Sequence, residues 1–192
     1  MSKIQIEKYP KISIITCVLN GEKYIHKLLD SVLNMGYPNI EHIIVNDGST
    51  DQTEEIIKHY EKLYENKNGS NLTIKYIKQT NKGLGSATNT GLREITGEYW
   101  TWINCDDWYE TNAFNYAIDF LLKNTKYSYV QLNGFRYKEG SSKKLIIKNW
   151  KKHSFYNKKK LICNFTFKLT AGSVYVCTTL QSYRNFFAGV FQ

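Results

Sequence analysis

"EHIIVNDGSTDQTEEIIKHYEKLY", residues 41–64, carries the reading of the fold. Residues 41–46 are a mostly apolar, β-branched run of strand length, as in strands that lie inside a sheet. Asp47 then heads a polar turn, "DGSTD". Beyond it Ile56, Ile57, Tyr60, Leu63 and Tyr64 recur at helical spacing on one face. Ser49 to Asp51 are candidates to cap that helix. A buried strand, a short polar turn and a one-faced helix make half of a βαβ unit.

The same unit repeats on both sides. Upstream, "KISIITCVL" (11–19) is strand-like. It is followed by "NGEKYIHKLLDSVLNM" (20–35), with Ile25, Leu28, Leu29, Val32 and Leu33 at helical spacing and Asn20 as N-cap. "YPNI" (37–40) turns the chain. Downstream, "LTIKYIKQ" (72–79) is a third strand, and "NKGLGSATNTGLREITG" (81–97) is a helix rich in small residues. "EYWTWIN" (98–104) is a fourth strand, and "TNAFNYAIDFLLKN" (111–124) a helix capped by Thr111. Residues 127–138, 143–150 and 165–176 read as looser strands. Four strand–helix alternations predict an α/β fold, a mainly parallel sheet covered by helices. In such sheets ligands bind beyond the carboxyl ends of the strands. Asn20, Asp47, Asn81 to Gly85, and the pair Asp106–Asp107 all fall there.

Composition narrows the class. With 192 residues, 42% of them hydrophobic, one domain with a full core is expected. No apolar run approaches the ~20 residues of a spanning helix, and the first residues show no secretory h-region. Cys17, Cys105, Cys163 and Cys177 lack metal or disulfide spacing, so they are expected to be buried, reduced thiols of a cytosolic protein. The sequons at Asn68, Asn71 and Asn164 then carry no glycan. All seventeen Asp and Glu lie at or before Glu139, so residues 140–192 hold ten Lys and Arg and no carboxylate. That tail can seek phosphate, including that of a membrane surface, or simply be solvated. Nucleic-acid binding is not expected, because no recognised motif accompanies the Lys–aromatic stretch at 148–160.

Each cluster has a plain and a chemical reading. Asp47 either closes an Asx-type turn or points into the crevice and accepts from an imide N–H, such as N3 of uracil. The glycines at 83, 85 and 91 match neither the dinucleotide fingerprint nor the P-loop. They can serve close helix–sheet packing, as at Gly91, or anion binding at a helix mouth, where Lys82 could meet a phosphate. In "WINCDDWYE" (102–110), Asp106 and Asp107 repel each other at a strand end. They belong either to an acidic helix N-terminus favoured by the macrodipole, which Asp107 and Glu110 could satisfy ahead of Thr111, or to the oxygen ligands of Mg²⁺ or Mn²⁺ shared with a diphosphate. The histidines at 26, 42, 59 and 153 have no site-like spacing.

"ISIITCVLNGEKYI", "NIEHIIVNDGSTDQT", "NKGLGSATNTGLREITGEY" and "INCDDWY", in this order, resemble the family 2 glycosyltransferases of GT-A fold. The likeness covers about residues 11 to 125 and is nearest the bacterial polysaccharide-type branch with an N-x-D-D-W motif. It implies a GT-A, Rossmann-like single domain with helices on both sheet faces. Residues 1–125 would form the donor-binding half, and 126–192 an incomplete, basic acceptor-side half. The implied activity is inverting transfer from a nucleotide diphosphate sugar, a UDP-sugar, to a glycan or lipid-linked acceptor, with Mn²⁺ or Mg²⁺. Asp47 would bind the base, and Asp106 and Asp107 would share ribose and metal. Val18, Asn20, Asn81, Lys82, Gly83 and Asn104 would complete the donor site. Leu19 stands where many relatives carry a stacking Tyr. Relatives supply an Asp or Glu base soon after a segment like "AGVFQ" (188–192), and residues 140–192 contain neither residue. His153 is a poor substitute. The resemblance therefore leads us to expect a truncated or degenerate chain, peripheral to the membrane at most, in which donor binding outlasts transfer. The alternatives are a non-catalytic nucleotide-sugar-binding protein and a nucleotidyltransferase; the latter lacks its phosphate loop near the first strand.

Overall fold

The computed structural model describes residues 9–67, 69–127, 129–132, 135–137, 144–146 and 174–178. His153, Cys163, the sequons at Asn68 and Asn164, and most of the basic tail lie outside the described residues. Four strands run parallel: β1 (Ile12–Val18), β2 (Asn39–Asn46), β3 (Asn71–Lys78) and β4 (Tyr99–Trp102). β1 is flanked by β2 and β4, and β3 lies outside β2. Then come β5 (Tyr129–Leu132), a small antiparallel pair of β6 (Phe135–Tyr137) and β7 (Lys144–Ile146), and β8 (Val174–Thr178). β8 runs antiparallel between β4 and β5, giving the order β3-β2-β1-β4-β8-β5. The expected mainly parallel α/β sheet is observed, with one reversed strand.

Helices cover both faces unevenly. Three pack on one face: α1 (Ile25–Leu33), α2 (Thr53–Glu65) and a later helix, Ala113–Lys123. They join Ile12, Ile14, Val18, Ile40 and Ile44 of the sheet in the larger core, filled by Leu28, Leu29, Ile57, Tyr64 and Phe114. On the other face α3 (Leu84–Arg93) sits over Ile15, Cys17, Ile43, Val45 and Trp100. The helix Ala113–Lys123 is α4. Alternate residues of β1 and β2 thus face two different cores, so both strands are apolar without alternation. His42 is fully buried. It bonds Thr16 Oγ1 through Nε2 at 3.0 Å and stacks on Tyr64, and burial holds its imidazole down to about 3.

Gly91 does the packing task expected of it. A Cβ there would lie 2.6 Å from Ile15 Cγ2 and 3.4 Å from Val45 Cγ2, both on buried strands. Alanine would gain about 1 kcal/mol of helix propensity. Overpacking against side chains that cannot move costs about 1–3 kcal/mol, so the clash wins. Gly91→Ala is expected to lower the midpoint of urea unfolding with the slope unchanged.

At the amino ends of the strands Glu41 is buried and surrounded by donors. It accepts from Thr96 N (2.6 Å), Thr96 Oγ1 (2.7 Å), Gly97 N (3.1 Å), Lys11 Nζ (2.8 Å) and the Ser13 hydroxyl. Burial alone would raise its carboxyl. The bonds from Lys11, Ser13 and Thr96 outweigh burial and hold it down to about 2.

Three cap expectations are corrected. Asn20 does not cap α1: Tyr24 occupies the N-cap position, after a turn in which Gly21 O accepts from Tyr24 N and Ile25 N. Asn20 itself has φ +52°, a left-handed conformation that Asn tolerates. Thr111 does not cap α4, whose N-cap is Asn112. α2 has Gln52 at its N-cap and no side-chain cap bond, although Asp51 Oδ1 accepts from Thr53 N at 3.1 Å. Leu63, expected on the apolar face of α2, is 38% exposed.

Candidate functional site

The loops that leave β1, β2, β3 and β4 at their carboxyl ends are tied together by backbone. Asp47 N donates to Val18 O (2.9 Å), Gln79 N to Asn46 O (2.9 Å) and Ile103 N to Ile15 O (3.0 Å), which carries the ladder past the strand ends. Close approach requires glycine at two places. A Cβ on Gly21 would lie 2.5 Å from Val18 Cγ2 and 3.5 Å from Cys105 Sγ. Gly48, at φ +89°, has Asn81 N 3.0 Å from the corresponding point.

Residues 20–22 and 49–53 clasp each other. The amides of Asn20, Gly21 and Glu22 donate to Ser49 Oγ (2.9 Å), Thr53 Oγ1 (2.9 Å) and Asp51 Oδ2 (3.1 Å). In return Asn20 Oδ1 accepts from Thr50 N (2.9 Å), and Glu22 Oε2 from Gln52 N (3.1 Å). The Ser, Thr and Asp assigned to capping serve chiefly this clasp. Val18, placed in the donor site by its motif, is buried, and its carbonyl is taken by Asp47 N. Leu19 next to it is 45% exposed at the crevice.

Asp47 is nearly buried and does not close the turn. Asn46 does, by accepting from Ser49 N at 2.8 Å, while its amide nitrogen bonds Tyr76 Oη at 2.9 Å. Asp47 instead faces the loop after β3. Its Oδ1 accepts from Gln79 Nε2 (2.7 Å) and Lys82 N (3.0 Å), and its Oδ2 from Gly83 N (2.9 Å). Asn81 Oδ1 also accepts from Gly83 N at 3.1 Å. Gly83 has φ +83° and precedes α3. The structure therefore brings Asp47, Asn81, Lys82 and Gly83 into one cluster, with the side chains of Asn81 and Lys82 exposed.

Asp106 is exposed and Asp107 half-buried just beyond β4. Asp107 N donates to Asn104 O at 3.2 Å, and the Asn104 amide lies 3.4 Å from Asp107 Oδ2. α1 supports this turn from below: Lys27 Nζ stands 3.5 Å over the Trp108 ring, and Ser31 Oγ accepts from Tyr109 N at 3.1 Å. The dipole reading of the acidic pair fails, because α4 starts at Ala113 and has no acidic residue in its first turn. The dipole's influence is confined to that turn. The donor set also selects the cation class. Burial pushes the Cys105 thiol up to about 11, and the flanking carboxylates add to it; the two carboxylates beside it offer hard oxygen donors. Among the described residues no group of three His, Cys, Asp or Glu gathers there. Two adjacent carboxylates suit Mg²⁺ or Mn²⁺, which are commonly held by one or two carboxylates together with substrate phosphate and water.

Comparison with known proteins fits this geometry. The profile of Glycosyl transferase family 2 matches residues 13–183. The chain belongs to that family. This family 2 chain is 34% identical, over 89% of its length, to an uncharacterized glycosyltransferase of Rickettsia typhi, of which it spans 50%. It is 44% identical over 52% of its length to the glycosyltransferase GlyA of Streptococcus pneumoniae, spanning 13% of that protein. The chain thus spans half or less of the length of these curated relatives. Among solved structures, S. aureus TarS 1–349 in complex with UDP-GlcNAc superposes with a TM-score of 0.52 at 31% identity, covering 60% of this chain and 32% of that one. A Pyrobaculum calidifontis mannosyltransferase, solved with GDP-Man and Mn²⁺, has a TM-score of 0.56 at 22% identity, covering 62% and 34%. The fold of this family 2 chain is GT-A.

Three contributors escape a reading of the sequence, where their signals are weak. Gln79 sits at the end of the third strand, Ser31 on a helix face and Asn46 at a strand end. Each bonds a partner distant in sequence, although Asn46 also closes its own turn onto Ser49.

Proposed function

We propose that this chain binds a nucleotide diphosphate sugar, a UDP-sugar, over the carboxyl ends of β1 to β4. It would form the donor half of an inverting, metal-dependent glycosyltransferase acting on a glycan or lipid-linked acceptor. Asp47 would meet the base, and Asp106 and Asp107 would share the ribose and the cation. The remaining donor contacts would come from Val18, Asn20, Asn81, Lys82, Gly83 and Asn104. The observation that carries the reading is the Asp106–Asp107 pair: adjacent like charges at a strand end, ahead of and outside the first turn of α4. The likeness to a structure holding UDP-GlcNAc supports the donor class. A bound Mg²⁺ or Mn²⁺ would neutralise the departing diphosphate.

Inversion needs a base for the acceptor hydroxyl. Residues 140–192 contain no Asp or Glu, so we expect donor binding to exceed transfer. Their ten Lys and Arg support a peripheral contact with an anionic membrane on its cytosolic side. Titration calorimetry with UDP, with and without Mn²⁺, followed by a UDP-sugar hydrolysis assay, tests the reading. Mn²⁺-dependent binding is the expected result, with slow turnover. Binding without any turnover would make the chain a nucleotide-sugar-binding protein. No UDP binding under either condition removes the reading.

A further inference from the structure

Asp47 is held by a chain of side chains that reaches the outer face of α3. Gln79 Nε2 donates to Asp47 Oδ1 (2.7 Å), Thr90 Oγ1 donates to Gln79 Oε1 (2.8 Å), and Arg93 Nη2 donates to Thr90 Oγ1 (3.2 Å). Its polarity is forced. A carboxylate can only accept, so the amide nitrogen of Gln79 must face Asp47 and its oxygen must face Thr90. The guanidinium can only donate, so Thr90 gives its own proton to the bond with Gln79. Each bond polarises the next in one direction, from an exposed cation to a nearly buried carboxylate.

The consequence is a count of free lone pairs. A carboxylate accepts at about four positions. Gln79 and Lys82 N occupy both on Oδ1, and Gly83 N occupies one on Oδ2. One acceptor direction remains. We propose that Gln79, oriented by Thr90 and Arg93, is a positioning residue that leaves Asp47 as a single-acceptor group for an N–H of the bound nucleotide base. This rests on the donor-site reading above. Without the relay Oδ1 loses its side-chain donor, a second acceptor direction opens on it, and only the backbone amides of Lys82 and Gly83 still hold the carboxylate. Its contact with the base then weakens, and its preference for a base presenting N–H over one presenting a lone pair falls with it.

Gln79 is half-buried at a strand end, so substitution there is compatible with folding. Around the pair, the charged and titratable groups are Arg93 at the outer end, the exposed Lys82, and the buried Cys17 thiol, which feels the Asp47 charge. The informative variant is Gln79→Glu. At low pH the introduced side chain, when protonated, can still donate to Asp47. At higher pH two facing carboxylates cannot both ionise freely, and they titrate as a pair.

The test uses the full chain, with UDP and CDP titrated between about pH 6 and 8, melting temperature recorded in parallel, and carboxyl ¹³C titration of Gln79→Glu without nucleotide. Wild type should show only the pH dependence of the nucleotide's own terminal phosphate, which every variant shares. Gln79→Glu should lose about tenfold in UDP affinity as pH rises, a change equivalent to one good hydrogen bond. In this variant the carboxyl carbon of the introduced side chain should titrate above the usual carboxylate range. Thr90→Val should narrow the UDP-over-CDP preference several-fold. A Gln79→Glu affinity equal to wild type at every pH, or losses that follow melting temperature alone, would overturn the relay while leaving the donor-site reading intact. A raised titration of the introduced carboxyl in a chain whose wild type binds no UDP would remove the donor-site reading, and with it the purpose given to Gln79.

Discussion

Glu41→Ala is expected to lower the melting temperature by roughly 6–12 °C, with nucleotide binding by the surviving folded fraction unchanged. The carboxylate lies at the end of the sheet opposite the crevice and accepts five bonds. Of the stranded donors, Lys11 and Thr96 can rehydrate, because both reach solvent. Ser13 is buried and cannot, whereas Gly97 N, also buried, keeps Ser13 Oγ as an acceptor at 2.9 Å. Breaking a fully buried ion pair costs about 3–5 kcal/mol, and the partial exposure of Lys11 puts this case near 3. At roughly 2–4 °C per kcal/mol for a chain of this size, that gives the stated shift. The pH dependence follows from the same bonds. A carboxyl held at about 2 in the folded state, against an ordinary value of 4.5, stabilises fully above pH 4.5. That contribution, about 3 kcal/mol, is lost as pH falls toward 2. His42 acts in an earlier window with the same sign. Its imidazole is neutral when folded and gains a proton on unfolding, so acidification destabilises from about pH 6.5 down to about 3. Melting temperatures of wild type and Glu41→Ala should draw together below pH 4.5 and meet near pH 2. A constant gap would show that Glu41 acts by shape and not by charge.

Asp107→Ala should abolish the Mn²⁺-dependent part of UDP affinity, a loss of at least about 100-fold, since even outer-sphere partners of metal ligands are worth 10–100-fold. In excess EDTA the sign should reverse. Without a cation the pair repels a diphosphate, so removing one carboxylate should leave metal-free UDP binding equal or slightly tighter. The fold should survive, because Asp107 is only half-buried in the loop beyond β4. Unchanged Mn²⁺ dependence in the variant would end the metal assignment.

The parts legible in the sequence are those set by local period. The four parallel strands and their helices follow from apolar runs and from 3.6-residue spacing, and Gly91 from its place in a small-residue helix. Capping is misread because a Ser, Thr, Asp or Asn before a helix looks the same whether it serves the helix or a neighbouring loop. Asn20 and Asp51 reach across to each other's loops, a choice fixed by how β1 and β2 sit side by side. Asp47 stands out in the sequence, but its partner Gln79 does not. Their bond depends on β3 lying next to β2, which no periodicity encodes.

The reversed strand β8 has a temporal consequence. Residues 174–178 fill the slot between β4 and β5, yet leave the ribosome more than forty residues after β5. At roughly 5–20 residues per second, a nascent chain displays the naked edge of β4 for several seconds. Translation speed over that interval, and the supply of chaperone, should therefore set the yield of soluble protein.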